Sequence, residues 1–379
     1  MFSITLSASR SVFIYFFVAL IIAFIYLIFN LKKEVRKDSL RFFYLIVFAC
    51  SLLLAFEYFY PMLQLGSSKG QIASGLARIA SSEGSEAGRR LVEWKKAFVS
   101  FRYNPIFGCG WFGFAHNSVY LYSLYPNSPL NSGLFTNCHN LILQLMAETG
   151  TVGTLIVILG LFYSLVRILK KTSIEIIILL CMASTTLAHS MLEYPLWYLY
   201  FLGPFIMFLA VDKPIRICNR ALITGIFATP VIILGYLIIV NSVVYDNLVN
   251  YLDTPDDLPT FQKQAKYLED IASKNTIMTY MAEFVLDNYI IIDSPYTAKT
   301  FDNATQFNHL NKFTNFQPFP DDLIKLAKLE LTLGNKRRAE DLVTLAVSAY
   351  PVYISSFLNS LHIRKYKTLY NIANQKPKK

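Results

Sequence analysis

Apolar residues run along this chain in six long stretches, at residues 11–31, 42–65, 151–169, 174–187, 197–211 and 221–240. About 20 mostly apolar residues carry a helix across the hydrocarbon of a bilayer, so each stretch predicts a transmembrane helix. The fourth and fifth are short and flank AHSMLEYPL, which predicts one tight outward hairpin. Between the second and third, RRLVEWKKAFVSF places Leu91, Trp94, Phe98 and Phe101 on one face at helical spacing, with Arg90 one turn before Trp94. This predicts an amphipathic helix on the membrane surface. In HNLILQLMAETGTVG, Asn140 is the expected N-cap of a helix that runs into the third span. Beyond residue 240 the pattern turns polar and helix pairs dominate. Within DDLIKLAKLELTLGNKRRAEDLVTLAVSAYP, the positions of Ala327, Gly334, Ala339, Ala346 and Pro351 match the small-residue and proline places of a tetratricopeptide-like repeat. A plain helical cap on the membrane domain is the alternative.

Composition agrees with the pattern. The 379 residues are 54% hydrophobic and 15% aromatic, with a mean hydropathy of +0.40, too apolar for an ordinary soluble protein. Orientation follows from basic residues, which collect beside spans on the cytoplasmic side. Lys32, Lys33, Arg36, Lys37 and Arg41 form one cluster, Arg167, Lys170 and Lys171 a second, and Lys213, Arg216 and Arg220 a third. Simple alternation of the spans puts all three on that side. The loop 66–138, the HSMLEYP turn and everything after residue 240 then face outward. The long loop is itself basic, but loops longer than about 60 residues translocate largely regardless of charge. The first span lacks a basic leader and a small-residue cleavage site, so it reads as a permanent helix, and its outward start is natural if helices belong upstream.

Five cysteines give little redox information. Cys109 and Cys138 share the outer loop and either pair or stay free, and no Cys/His spacing suggests a structural zinc. NPIFGCGWFGF reads as a tight turn whose glycines, Gly108, Gly110 and Gly113, pack against aromatics. It has neither a Walker lysine nor the strand and helix that a nucleotide-binding glycine motif requires.

The candidate chemistry lies in the outward pieces. Lys95 and Lys96 fit contact with anionic headgroups, whereas a guanidinium at Arg90 can take a phosphate in bidentate fashion. His139 stands at the positive end of a helix, a field that favours the neutral, proton-accepting ring, and the same N–H groups suit a diphosphate oxygen. A structural histidine bonded to a carbonyl is an equal alternative. His116 repeats the His-Asn pair with no such helix behind it and reads as structural. His189, Glu193 and Tyr194 crowd a turn between spans, where ionisable groups are expensive and therefore functional candidates. Tyr198 and Tyr200 are ordinary interfacial aromatics, and Glu57 reads as structural.

The order and spacing of Arg90-x-x-x-Trp94, NPIFGCG and HNLILQLMAETGTVG resemble the O-antigen ligase and polymerase superfamily of the bacterial inner membrane. HSMLEYPLWYLYF and the helical tail narrow the likeness to protein O-oligosaccharyltransferases of the pilin-glycosylating type. Complete members carry several more helices ahead of the long loop, and Cys138 stands where a small or polar residue is usual. The resemblance implies an all-α, polytopic inner-membrane bundle. Two transmembrane helices would occupy 1–65, a periplasmic loop with the catalytic motifs 66–150, four transmembrane helices 151–241, and a periplasmic tetratricopeptide-like domain 242–379. It implies transfer of a glycan from undecaprenyl diphosphate to a periplasmic, pilin-like protein. His139 would be the general base, Arg90 the diphosphate clamp, with Arg89 helping and Glu193 orienting acceptor or sugar. Trp94, Asn140, His189 and Tyr194 would line the substrate site. No metal or other cofactor and no nucleic acid is called for. Ligation to lipid A core or glycan polymerisation is the near alternative, and a non-catalytic transporter or scaffold the distant one.

Overall fold

The computed structural model describes residues 11–30, 36–63, 85–124, 133–169, 173–210, 220–274 and 277–375, and among them every regular element is a helix. Lys32, Lys33, Lys170, Lys171, Lys213, Arg216, Cys218 and the Ser-rich part of the long loop lie outside the described residues. Contacts divide the chain into two units, residues 1–114 with 135–213, and residues 115–134 with 214–379.

In the first unit, α1 (Ser11–Asn30) packs against α2 (Arg36–Leu63) and against α6 (Ile174–Ser190). Ala23, Tyr26, Phe42, Ile168, Ile177, Leu180 and Cys181 form their shared core, which takes in the end of α5 (Leu141–Leu169). The fully buried Ala23 is small enough to let the helices approach closely. Outside that core, Phe17, Phe24, Phe48, Ile156 and Phe162 are each more than half exposed. Such a surface is stable against lipid and unstable against water.

Four helices among the described residues are long and apolar enough to cross a membrane. These are α1, α2, α5 and α8 (Arg220–Asn250), the last of which belongs with the second unit. The two short predicted spans become α6, of 17 residues, and α7 (Leu199–Leu209), of 11. At 1.5 Å per residue α7 is roughly 16 Å long, about half the hydrocarbon thickness. It starts two residues later than the apolar run because residues Pro195–Trp197 form a separate 3-10 turn with Pro195 buried.

The predicted surface helix is α3 (Ser85–Tyr103), but the side it packs is not the apolar face of the pattern. Val92, Glu93, Lys96, Ala97 and Ser100 are buried, and α3 packs on α5, while Leu91 and Phe98 remain 60% and 46% exposed. Lys96 therefore cannot serve as a headgroup contact. Its ammonium is 3.0 Å from the Glu93 carboxylate inside the protein. Burial pushes the Glu93 carboxyl up, against the lowering effect of Lys96.

The glycine turn docks on a break in α5. Gly150 has φ 63° and ψ −164°, so the helix bends there. Backbone amides of Thr151 and Val152 donate to the carbonyls of Pro105 (2.8 Å) and Ile106 (3.2 Å), and those of Cys109 and Gly110 donate to Ala147 (2.9 Å) and Glu148 (3.0 Å). The turn thus satisfies groups that the kink frees. Gly108 and Gly150 pack against backbone rather than against aromatics. A Cβ would stand 2.3 Å from the Glu148 carbonyl carbon at Gly108 and 2.3 Å from the Ile106 oxygen at Gly150, and both residues have positive φ. Cys109 and Cys138 are not joined in a disulfide. Cys138 is buried, its Sγ donates to the Asn140 carbonyl at 3.3 Å, and burial pushes its pKa up to about 12.

The second unit begins in α4 (Gly113–Tyr120), whose Val119 is buried with the core of the C-terminal helices. These are α9 (Leu258–Ser273), α10 (Thr279–Asp287), α11 (Pro295–Thr300), α12 (Asn303–Phe316), α13 (Pro320–Thr332), α14 (Lys336–Ala349), α15 (Ile354–Leu361) and α16 (Lys367–Asn374). Asp257 and Asp302 cap α9 and α12 through Thr260 N (2.9 Å) and Thr305 N (2.7 Å). The hairpin of α13 and α14 packs through Ala327, Ala339 and Ala346, all fully buried. Gly334 (φ 89°) ends α13, with Asn335 N on Glu330 O and Gly334 N on Leu331 O in the paired bonds of a Schellman motif.

Candidate functional site

The site of the first unit is built at the start of α5. Asn140 Oδ1 accepts from Leu143 N at 3.1 Å, which makes Asn140 the cap that the sequence calls for. Its amide nitrogen donates to Met191 O at 3.3 Å and so ties the cap to the turn after α6. Gln144, nearly fully buried, holds the segment ahead of the cap. Its Oε1 accepts from Cys138 N (2.8 Å), and its Nε2 donates to Thr136 O (3.3 Å) and Glu148 Oε1 (2.9 Å). Between these anchors His139 sits at φ 57°, a left-handed conformation that non-glycine residues adopt at a cost and that clusters at functional sites.

The strained backbone presents the imidazole to Glu193, with His139 Nδ1 2.7 Å from Glu193 Oε2. An ionised carboxylate only accepts, so Nδ1 carries the proton and, in the neutral ring, Nε2 keeps its lone pair free. The other carboxylate oxygen, Oε1, is paired with Arg90 Nη2 from α3. The His139 hydrogen bond is the main cause that holds the Glu193 carboxyl below the usual carboxylate range, ahead of the Arg90 charge and against partial burial. The side chains of Arg90, Glu193 and His139 are 32%, 33% and 25% exposed, so a substrate can reach all three. Tyr194 sets its ring edge-on to His139, centroids 5.1 Å apart.

The remaining sequence candidates lie around this cluster. His189 pairs with Tyr15, whose hydroxyl is 2.7 Å from Nδ1 and whose ring is stacked on it at 5.3 Å. Arg89 lies over the Phe135 ring at 5.4 Å. Trp94 packs on the small core of Ala97, Phe114, Cys138 and Ala147, with its Nε1 buried and unbonded. His116 belongs to the second unit and stacks on Tyr120, and Glu57 is buried. Gln144, Glu93, Glu148 and Tyr15 were not singled out from the sequence, and Lys96 was read there only as a headgroup contact. A glutamine in an apolar helix carries no motif, and an acid three residues from a lysine in a basic helix reads as a solvated pair.

Arg90 and His139 fall in residues 1–158, which match the O-antigen ligase family. Glu193 falls in residues 177–359, which match a family described as the C-terminal part of virulence factor membrane-bound polymerases. A general O-oligosaccharyltransferase of Acinetobacter baylyi is 25% identical over 378 aligned residues, covering 96% of this chain. The chain spans 59% of that relative's length. No solved structure matches it. One site assembled from both matched segments, in an all-α polytopic protein, accords with these likenesses: the chain is similar to O-antigen ligases in its first part, to membrane-bound polymerases in its second, and to an O-oligosaccharyltransferase along nearly its whole length.

Proposed function

We propose that the chain transfers a glycan from undecaprenyl diphosphate to a Ser or Thr hydroxyl of a protein such as a pilin, on the periplasmic face of the bacterial inner membrane. The observation that carries the proposal is the Arg90–Glu193–His139 cluster, in which one carboxylate joins a cation to an imidazole. The acceptor oxygen attacks the anomeric carbon of the sugar, and the bond from that carbon to the diphosphate oxygen breaks. The hydroxyl proton passes to His139 Nε2, and Glu193 stabilises the imidazolium that forms. Such general-base help is typically worth about a hundredfold to ten-thousandfold. The lipid diphosphate leaves with the bonding electrons, and its charge meets the guanidinium N–H groups of Arg90 that Glu193 does not use, with Arg89 nearby in sequence. Glu193 thus acts by orienting His139, a more specific role than the acceptor contact expected from the sequence. The basic clusters at the inner ends of the spans support the periplasmic orientation.

Ligation to a lipid A core or glycan polymerisation is the second reading, favoured by the ligase and polymerase descriptions of the two matched families. It needs the same base and clamp and another hydroxyl. A transporter is disfavoured because the ionisable cluster sits at a helix start and an inter-helix turn, not on interrupted helices at mid-bilayer. Co-expression of the chain with an undecaprenyl-linked glycan and a pilin, with intact-mass analysis of the pilin and of the lipopolysaccharide from the same cells, tests the proposal. A glycan mass on the pilin is expected, and a glycan found only on the lipopolysaccharide contradicts the protein acceptor.

A further inference from the structure

The C-terminal unit contains a cavity of about 400 Å³, unused by the reaction described above. That is within the range of small-molecule pockets, roughly 300–1,000 Å³. Tyr120 at the end of α4 and Tyr122 just after it form part of its wall, Asn311 and Asn315 of α12 and Arg338 and Asp341 of α14 supply polar groups, and leucines and threonines complete the lining. Part of this lining is held firmly. His116 stacks on Tyr120 with centroids 4.2 Å apart. Arg338 donates from Nη2 to Asn311 Oδ1 at 2.6 Å, and its Nε lies 2.9 Å from the carboxylate of the fully buried Glu330. Thr314 and Thr344 are also bonded, their hydroxyls donating to Leu310 O at 2.7 Å and Glu340 O at 2.8 Å, whereas the remaining polar groups lie open to a ligand. Among the described residues the Tyr120 and Tyr122 hydroxyls, the Asn315 amide and the Asp341 carboxylate have no hydrogen-bond or ion-pair partner.

We propose that this cavity is a glycan subsite that binds neutral pyranose units. A pyranose has one apolar C–H face, which suits a tyrosine ring, and a rim of hydroxyls that both donate and accept. Planar carboxylate and amide groups match adjacent hydroxyls two at a time. Arg338, the one cation of the described lining, is neutralised by Glu330, and Asp341 is free, so the cavity does not suit a phosphate or another anion. That the neutral ligand is a sugar rests on the proposed glycan transfer.

Saturation-transfer NMR on the detergent-purified full chain tests this without donor or acceptor. The probes are the methyl glycosides of glucose, galactose, N-acetylglucosamine and N-acetylgalactosamine, together with a short Ser/Thr-rich peptide. Asp341→Asn and Tyr122→Phe change only unpartnered atoms and leave the fold intact, as thermal melts will record. Saturation of at least one glycoside is expected, weakened about tenfold by Asp341→Asn, the size of a lost hydrogen bond to a charged group. Absence of saturation on all four glycosides, or saturation that neither variant changes, overturns the subsite. Saturation of the peptide alone overturns it in favour of a peptide groove. A chain that binds sugar and transfers nothing loses only the transfer proposal, whereas one that transfers without binding sugar here loses only the subsite.

Discussion

Glu193 shows how a single side chain can define a site that a motif only outlines. The sequence makes His139 legible, because a histidine ahead of an N-cap asparagine is a local pattern. It cannot make the pairing legible, since Glu193 is 54 positions away and Arg90 103 positions from Glu193. Glu193→Gln keeps the shape but loses the charge that both neighbours use. Transfer by that variant should fall by about a hundredfold or more, with KM for the acceptor little changed, in steady-state assays. The pKa of Glu193 is lowered chiefly by His139. The stabilisation that this carboxylate lends the folded site is therefore complete above the ordinary glutamate range and is lost as pH falls through the lowered value. Infrared titration of the carboxylate band should find its midpoint below that range in the native chain and shifted upward in His139→Ala. Gln144 acts through the backbone, gripping Cys138 N and Thr136 O. Gln144→Ala frees the strained His139 segment, and a fall in kcat at unchanged abundance in the membrane is the expected result.

At the scale of elements, the sequence gives helix type and order well and packing faces poorly. The apolar stripe of α3 predicts a helix on the membrane surface but says nothing of the side buried in the protein, where Val92, Glu93, Lys96 and Ala97 lie while Leu91 and Phe98 stay exposed. Lipid can cover an apolar stripe, so in a membrane protein the buried side of a helix is chosen by fit and polar pairing. Lys96→Met leaves Glu93 charged and unpaired and should cost about 3–5 kcal/mol, while Glu93→Gln with Lys96→Met should recover most of it. In the single variant burial raises the Glu93 pKa unopposed by lysine. Its melting temperature should therefore drop as pH rises above the ordinary glutamate range, a trend absent in the double variant. The kink of α5 was similarly hidden, since glycine inside an apolar run does not announce a break. Gly150→Ala must accept a left-handed backbone, at about 1–2 kcal/mol, and a clash with the Ile106 carbonyl. A lower melting temperature and loss of transfer together are expected.

Over the whole molecule, composition and the spacing of apolar stretches were enough to reveal an all-α, multi-pass membrane protein, and short motifs in the right order pointed to the likeness with O-antigen ligases that residues 1–158 carry. The grouping of residues 115–134 with the C-terminal helices was beyond the sequence, because it depends on where Val119 is buried and not on any local pattern. The central claim is that His139 accepts the acceptor's proton while Arg90 and Glu193 hold the charges around it. The most direct test is a comparison of purified native chain and His139→Ala in one membrane preparation, supplied with undecaprenyl-diphosphate glycan and a pilin, with the glycosylated fraction followed by mass over time. The account predicts transfer by the native chain and a rate at least about a hundredfold lower in the variant at equal membrane abundance; equal rates in the two would contradict it.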